Sequence, residues 1–231
     1  MKLIDLSQKI ESWSKNPYQQ YVGRVMIDKF HSYELDGFYD CAIYMGDHTG
    51  THIESSVHFS KNGIPIEKTS LSDYYGDAVV LDFAHKKGAQ DITAEDLRRA
   101  AAKIGVDLKN IKIALVRTDL SKLWGTAEYF SNDRPSITVE GHEWLIRQGV
   151  KVIGVDMLVT ERDRLGTDPS IKPGSPERWP AHCLMKKYDF YIIENLTNLD
   201  KITKPRFTFI GFPLNIAGSG ASPIRAAALV A

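Results

Sequence analysis

The stretch Gly46-Asp47-His48-Thr49-Gly50-Thr51-His52-Ile53-Glu54-Ser55-Ser56-Val57-His58-Phe59 decides how this chain is read. His48, His52, Glu54 and His58 fall within eleven residues, all at even positions, separated by four, two and four. Imidazole nitrogens and carboxylate oxygens are the ligands of borderline divalent metals. In an extended segment His52, Glu54, Ser56 and His58 point to one side and Ile53, Val57 and Phe59 to the other, toward a core. In a helix His48 with His52, and Glu54 with His58, are four-apart neighbours. Gly46 and Gly50, with the β-branched Thr49, Thr51, Ile53 and Val57, favour the extended form. A lone histidine usually has an ordinary structural role. Three with a glutamate, internal and flanked by apolar residues, are unlike a terminal His-rich tract and point to a metal site.

Outward from this stretch the chain alternates strands and helices. Lys2 to Leu6, Val22 to Phe30 and Tyr39 to Met45 read as strands. Trp13 to Tyr21 has no period and reads as a loop, whose aromatics serve as core plugs or as a lid. Ala78–Phe83, Ile111–Thr118 and Val150–Val155 are nearly continuous apolar runs, the pattern of strands covered on both faces. Thr93 and Asp96 form a capping box, after which Leu97, Ala100, Ala101 and Ile104 share one helical face and Gly105 supplies the stop. A second helix starts at Thr138, and the run from Ile111 to Asp156 reads as a parallel crossover unit. Arg117-Thr118-Asp119 stands at a strand's carboxyl end, a common place for α/β sites, and Asp156 ends the strand Val150–Val155. Arg162 to Pro180, with four prolines, reads as an ordered excursion, either a lid or a surface insertion. Phe190–Leu196 is a strand carrying Glu194, and Phe207–Ile216 with Ala226–Val230 reads as two final strands across a turn.

With 231 residues, 43% of them apolar, the chain suits one sizeable core, a single domain over 1–231. Lysine plus arginine number 29 and so do aspartate plus glutamate, so no charge excess draws it to nucleic acid or to a membrane surface. Cys41 and Cys183 form no CxxC pair and read as buried free thiols. The start of the chain does not resemble a signal peptide, and the expected compartment is the cytoplasm.

His48-Thr-Gly-Thr-His52-Ile-Glu54-Ser-Ser-Val-His58-Phe resembles the HxGTHxDxPxH signature of the metal-dependent cyclase family, which includes bacterial kynurenine formamidases and isatin hydrolases. Ile4-Asp5-Leu6-Ser7, Val116-Arg117-Thr118, Gly149 to Asp156, Ile193 to Leu199, Pro213 to Gly218 and Ser222 to Ala226 extend the likeness over most of the chain. His182 and Glu194 reproduce the family's second ligand pair, twelve residues apart. Glu54 stands where the signature has Asp, and Ser56 where it has Pro.

The resemblance implies an α/β fold in three layers, β/β/α and swivelling-domain-like, with a mixed β-barrel-like core and two main helices. It implies one or two divalent ions per chain, zinc or manganese: His48, His52 and Glu54 around one, Glu54, His182 and Glu194 around the other. His58 would be the catalytic acid/base. The implied activity is hydrolysis of a C–N amide bond in a small aromatic substrate, as in kynurenine formamidase, with Trp13 and Tyr18, beside Trp124 and Tyr129, forming an apolar pocket. Cyclic-amide hydrolysis, as in isatin hydrolase, is the alternative, and a metal-binding homologue impaired by Glu54 is another. A homodimer or larger homo-oligomer is the implied assembly.

Overall fold

The computed structural model describes residues 1–12, 24–165 and 167–230. The expected α/β class is borne out. The strands are β1 (Lys2–Asp5), β2 (Met26–His31), β3 (Asp40–Tyr44), β4 (His52–Glu54), β5 (Tyr75–Asp82), β6 (Asp91–Ile92), β7 (Ile113–Arg117), β8 (Ser136–Ile137), β9 (Val152–Val155), β10 (Tyr191–Glu194), β11 (Phe207–Ile210), β12 (Ala221–Pro223) and β13 (Ala227–Val230). Nine of them form one sheet in the order β1-β13-β11-β5-β7-β9-β10-β4-β12. The sheet curls into a half-barrel, and a bridge between Ser7 and Leu196 draws the end of β1 against the end of β10.

Alternation along the central strands sorts the core into two layers. Ala78, Ile113, Leu115, Val152, Tyr191 and Ile193 pack inside the curl with Ile53, Phe207 and Phe209. Val79, Leu81, Ala114, Val116, Ile153, Val155 and Ile192 face the other way, against Leu97, Ala101 and Leu145 of the two main helices. These helices are α1 (Ala94–Ile104) and α2 (Val139–Arg147). The Thr93–Asp96 capping box forms as expected, and Gly105 closes α1 in the left-handed conformation. β7, α2 and β9 form the parallel crossover that the sequence predicts.

Four expectations are corrected. Arg117-Thr118-Asp119 forms a turn and not a gathering of free polar groups: Arg117 donates to Asp119, and the Asp156 carboxylate accepts from Thr118 N, Thr118 Oγ1 and Asp119 N at 2.7–2.8 Å and so fixes the turn after β7. β11 and β13 do pair, but their connection is not a simple turn. It contains β12, which crosses to the far edge and pairs with β4. The third is the side chain of Phe59, which lines a cavity rather than the core. Finally, Cys41 and Cys183 are half-buried rather than buried, and no disulfide joins them.

β2 and β3 form a separate two-stranded arm. No helix among the described residues is long and apolar enough to cross a membrane.

Candidate active site

The extended reading of the His-rich stretch holds for three residues. In β4 the alternation sends Ile53 into the curl and His52 and Glu54 to the opposite face, where the ladder sets His52 beside Glu194 of β10. After Ser55 the chain turns into a 3₁₀ segment, Ser56–His58. His58 therefore reaches the site from a turn and not by strand alternation. Gly63 makes this turn possible: a Cβ there would lie 2.3 Å from Ser56 C and Val57 N. His48 comes from the loop before β4, and His182 opens the 3₁₀ segment His182–Lys186.

All six expected ligand and acid/base residues meet around one carboxylate. Glu54 Oε1 lies 3.4 Å from His48 Nε2, 3.4 Å from His52 Nε2 and 3.9 Å from His58 Nε2, and Oε2 lies 3.2 Å from His182 Nε2. Glu194 approaches His52 Nε2 at 3.6 Å and His182 Nε2 at 3.5 Å. His48, Glu54 and His58 each offer a donor atom within 4.8 Å of the others, and so do His52, Glu54 and Glu194. This grouping pairs His52 with Glu194 and His48 with His58, where the resemblance pairs His48 with His52. Trp13 and Tyr18 lie outside the described residues.

The surroundings fix which nitrogen of each ring faces inward. His52 Nδ1 donates to Gly50 O at 3.0 Å, a bond Gly50 can offer because its backbone takes a positive φ of 62°. His48 Nδ1 donates to Asp47 at 2.8 Å. His182 Nδ1 donates to Glu161 at 2.7 Å. With each Nδ1–H engaged, the three Nε2 atoms converge on Glu54. His48 Nε2 and Glu54 Oε2 are buried with no hydrogen-bond partner. A buried carboxylate oxygen without a hydrogen-bond partner, among converging imidazole nitrogens, is an arrangement that a divalent cation satisfies.

Without an ion, protons on His48 and His182 offset the buried carboxylates. Burial would push Glu54 up, but His182, His48 and His52 together hold it well below the usual carboxylate range. Burial and the charge of Glu54 raise Glu194. Burial opposes protonation of His48, yet Glu54 and Asp47 raise it to about 9, and His182 rises well above its ordinary value because Glu54, Glu161 and Glu194 outweigh its burial. His58 is depressed to about 4, first by burial and then by the other imidazoles.

Sequence reasoning missed several residues. Glu161, buried, accepts from His182 Nδ1, from His182 N at 2.9 Å and from Ala181 N at 2.9 Å, locking that ring. Asn195, at a positive φ of 59°, donates to Gly50 O at 2.9 Å and accepts from Tyr129 Oη at 2.6 Å, tying the end of β10 to the loop before β4. Tyr129 is thus a buried strut, and Trp124 packs on it. The six converging residues line a cavity of about 410 Å³, whose aromatic walls are Phe59, Phe130 and Trp179. The irregular segment 162–180 contributes to it: Asp163, Arg178 and Trp179 line the cavity, and Arg178 forks onto Asp163.

Comparison with known proteins bears on the family and the fold. The family described as putative cyclase matches residues 4–162. A kynurenine formamidase of Erythrobacter litoralis is 28% identical over 184 residues, 79% of this chain and 73% of that protein. Isatin hydrolase A from Labrenzia aggregata, bound to benzyl benzoate, superposes with a TM-score of 0.83 at 23% identity, covering 99% of this chain and 93% of the other. Isatin hydrolase A from Ralstonia solanacearum gives 0.81 at 26% identity, with 100% and 92% covered.

Proposed function

Because this chain belongs to the putative cyclase family, we propose that it is a metal-dependent hydrolase that cleaves a C–N amide bond in a small aromatic substrate. The observation that carries the reading is the single buried carboxylate of Glu54 within 3.2–3.9 Å of four imidazole nitrogens, with Glu194 across the ladder. His48, His52, Glu54, His182 and Glu194 would hold one or two divalent ions, with Glu54 shared. Zinc and manganese are the candidates by donor type. When bound, such an ion polarises a carbonyl oxygen and lowers the pKa of water from about 15.7 toward about 7.

The chain's own residues do the rest. Glu161 holds His182 in the tautomer whose Nε2 faces inward. Asn195 and Gly50 fix the His52 ring. His58, at the rim and about a third exposed, takes a proton from water and returns it to the leaving nitrogen. Phe59, Phe130 and Trp179 exclude solvent and receive an aryl group. The similarity to kynurenine formamidases favours an aryl formamide such as N-formylkynurenine; the likeness to isatin hydrolases supports a cyclic amide as a second reading. The exposed apolar side chains of the β2–β3 arm support a homodimer.

Elemental analysis after purification without added metal, with formylkynurenine and isatin assayed side by side, tests the proposal. His52→Ala is expected to lose both metal and activity, and His58→Ala to lose activity while keeping most of the metal. Equal metal loss in both would make His58 a ligand. Bound metal with no turnover of any amide would refute the hydrolase reading and make this a binding protein.

A further inference from the structure

Arg134 is 3% exposed yet lines the cavity. Its Nη1 donates to Ser131 O at 2.7 Å and its Nη2 to Glu161 O at 3.0 Å, both neutral carbonyls. Its Nε is buried without a hydrogen-bond partner. Among the described residues no carboxylate comes within the 4.0 Å of an ion pair. Arginine is rarely so buried without a counter-charge, because an uncompensated buried cation is costly. Arg178, in the same cavity, shows the ordinary solution: its guanidinium forks onto Asp163. Asn132 is likewise engaged, exchanging two hydrogen bonds with the Asp163 backbone.

Among the described residues the carboxylates lining the cavity are Glu54, Asp163 and Glu194, and Glu194 and Asp163 act on Arg134 from beyond ion-pair distance. Here the inference rests on the proposed function: a divalent ion on Glu54 and Glu194 would offset their charge, and Asp163 is already forked by Arg178, which leaves Arg134 with no counter-charge in contact. We propose that Arg134 receives a carboxylate of the substrate, so that the enzyme prefers an aryl amide whose ring bears an acid group. Two of the five N–H groups of a guanidinium are engaged here, which leaves donors for a charge-assisted bond. Phe130, Leu158, Val159 and Trp179 form the apolar wall for the ring. In turnover, water adds to the amide carbon, the C–N bond breaks, and the nitrogen leaves with a proton.

Two isosteric probes test this: 2-formamidobenzoate and the neutral 2-formamidobenzamide, each hydrolysed to formate and the amine. Metal-loaded wild type should favour the acid by about tenfold or more in kcat/KM, the size of a charge-assisted hydrogen bond. Arg134→Met should remove that preference, and Arg134→Lys should keep part of it. A wild type that treats both probes alike overturns the proposal without any variant, which covers a Met variant that fails to fold. Equal losses on both probes also overturn it and make Arg134 a strut between residues 131 and 161. Calorimetry with benzoate and benzamide, on metal-loaded wild type and Arg134→Met, separates this proposal from the hydrolase reading. If neither formamide is cleaved, the aryl-formamide reading fails, while tighter binding of benzoate that vanishes in Arg134→Met still supports the anion site. Benzoate affinity unchanged by the substitution refutes it.

Discussion

Glu161→Gln isolates the contribution of one carboxylate that cannot touch a bound ion through its own bonds. Oε1 accepts from both His182 Nδ1 and His182 N, and Oε2 accepts from Ala181 N at 2.9 Å. Glutamine offers one oxygen for these two positions. Whichever way the amide turns, its NH₂ faces a buried N–H, and an unsatisfied buried donor costs about 1–3 kcal/mol of stability. The loss of charge acts separately. Without a carboxylate on Nδ1–H, His182 is a weaker base at Nε2, and changes of this kind lower metal affinity by about 10–100-fold, or about 1.4–2.7 kcal/mol. Competition titration of zinc and manganese against a chromogenic chelator measures the second effect, and urea unfolding of the metal-free protein measures the first. Glu161→Asp, which keeps the charge but withdraws the oxygens, should fall between wild type and Glu161→Gln in affinity. If Glu161→Gln loses stability but binds metal as wild type does, the carboxylate is only a backbone clamp, and its role in orienting His182 is refuted.

Two further outcomes follow from the geometry. His142 is fully buried, with Nδ1 donating to Thr138 O and Nε2 facing Thr160 Oγ1 at 2.8 Å, and burial depresses it to about 4. The unfolded chain takes up a proton at an ordinary pKa near 6.5 that the folded chain refuses until about pH 4, so stability should fall as pH drops through this window, by at most about 3 kcal/mol. His142→Gln should flatten that part of the stability–pH curve, and parallel curves would remove His142 as the cause. The β2–β3 arm exposes Phe30, Tyr33, Leu35 and Tyr44 by 68–89%, more apolar surface than an isolated hairpin sustains in water. Sedimentation should give about twice the 26.0 kDa of one chain, and Phe30→Ser with Tyr44→Ser should shift it toward one chain. A wild type that sediments as a single chain would contradict the dimer.

What could be read from sequence depended on how local the signal is. His48, His52, Glu54 and His58 were visible because three imidazoles and a carboxylate within one short segment are hard to explain otherwise. The apolar runs at Ala78, Ile111 and Val150 gave the buried parallel strands, since strands covered on both faces carry no polar alternation. His182 and Glu194 came only through the family's twelve-residue spacing, because by themselves they look like surface residues. Glu161 and Arg134 were illegible: each is an ordinary charge in an irregular segment, and its importance comes from where the chain path sets it down. β12 escaped notice because Ala221-Ser222-Pro223 has no strand composition. Proline is tolerated there because β12 is the edge of the sheet. Phe59 and Tyr129 exchange their expected places for a similar reason: Phe59 lines the cavity and Tyr129 is a buried strut. Ring size signals burial but not whether the ring is buried in a core or against a cavity.

Strand β4 pairs with nothing near it in the chain, only with β10 and β12. During synthesis His52 and Glu54 leave the ribosome long before Glu194, and longer still before the edge strand that covers them. Capture of a cation by the assembled geometry would therefore wait until β12 has paired with β4, and a chain truncated before β12 would present these imidazoles loosely, open to whichever metal is most abundant. The order of assembly, as well as the choice of donor atoms, would then bear on which ion such a site takes.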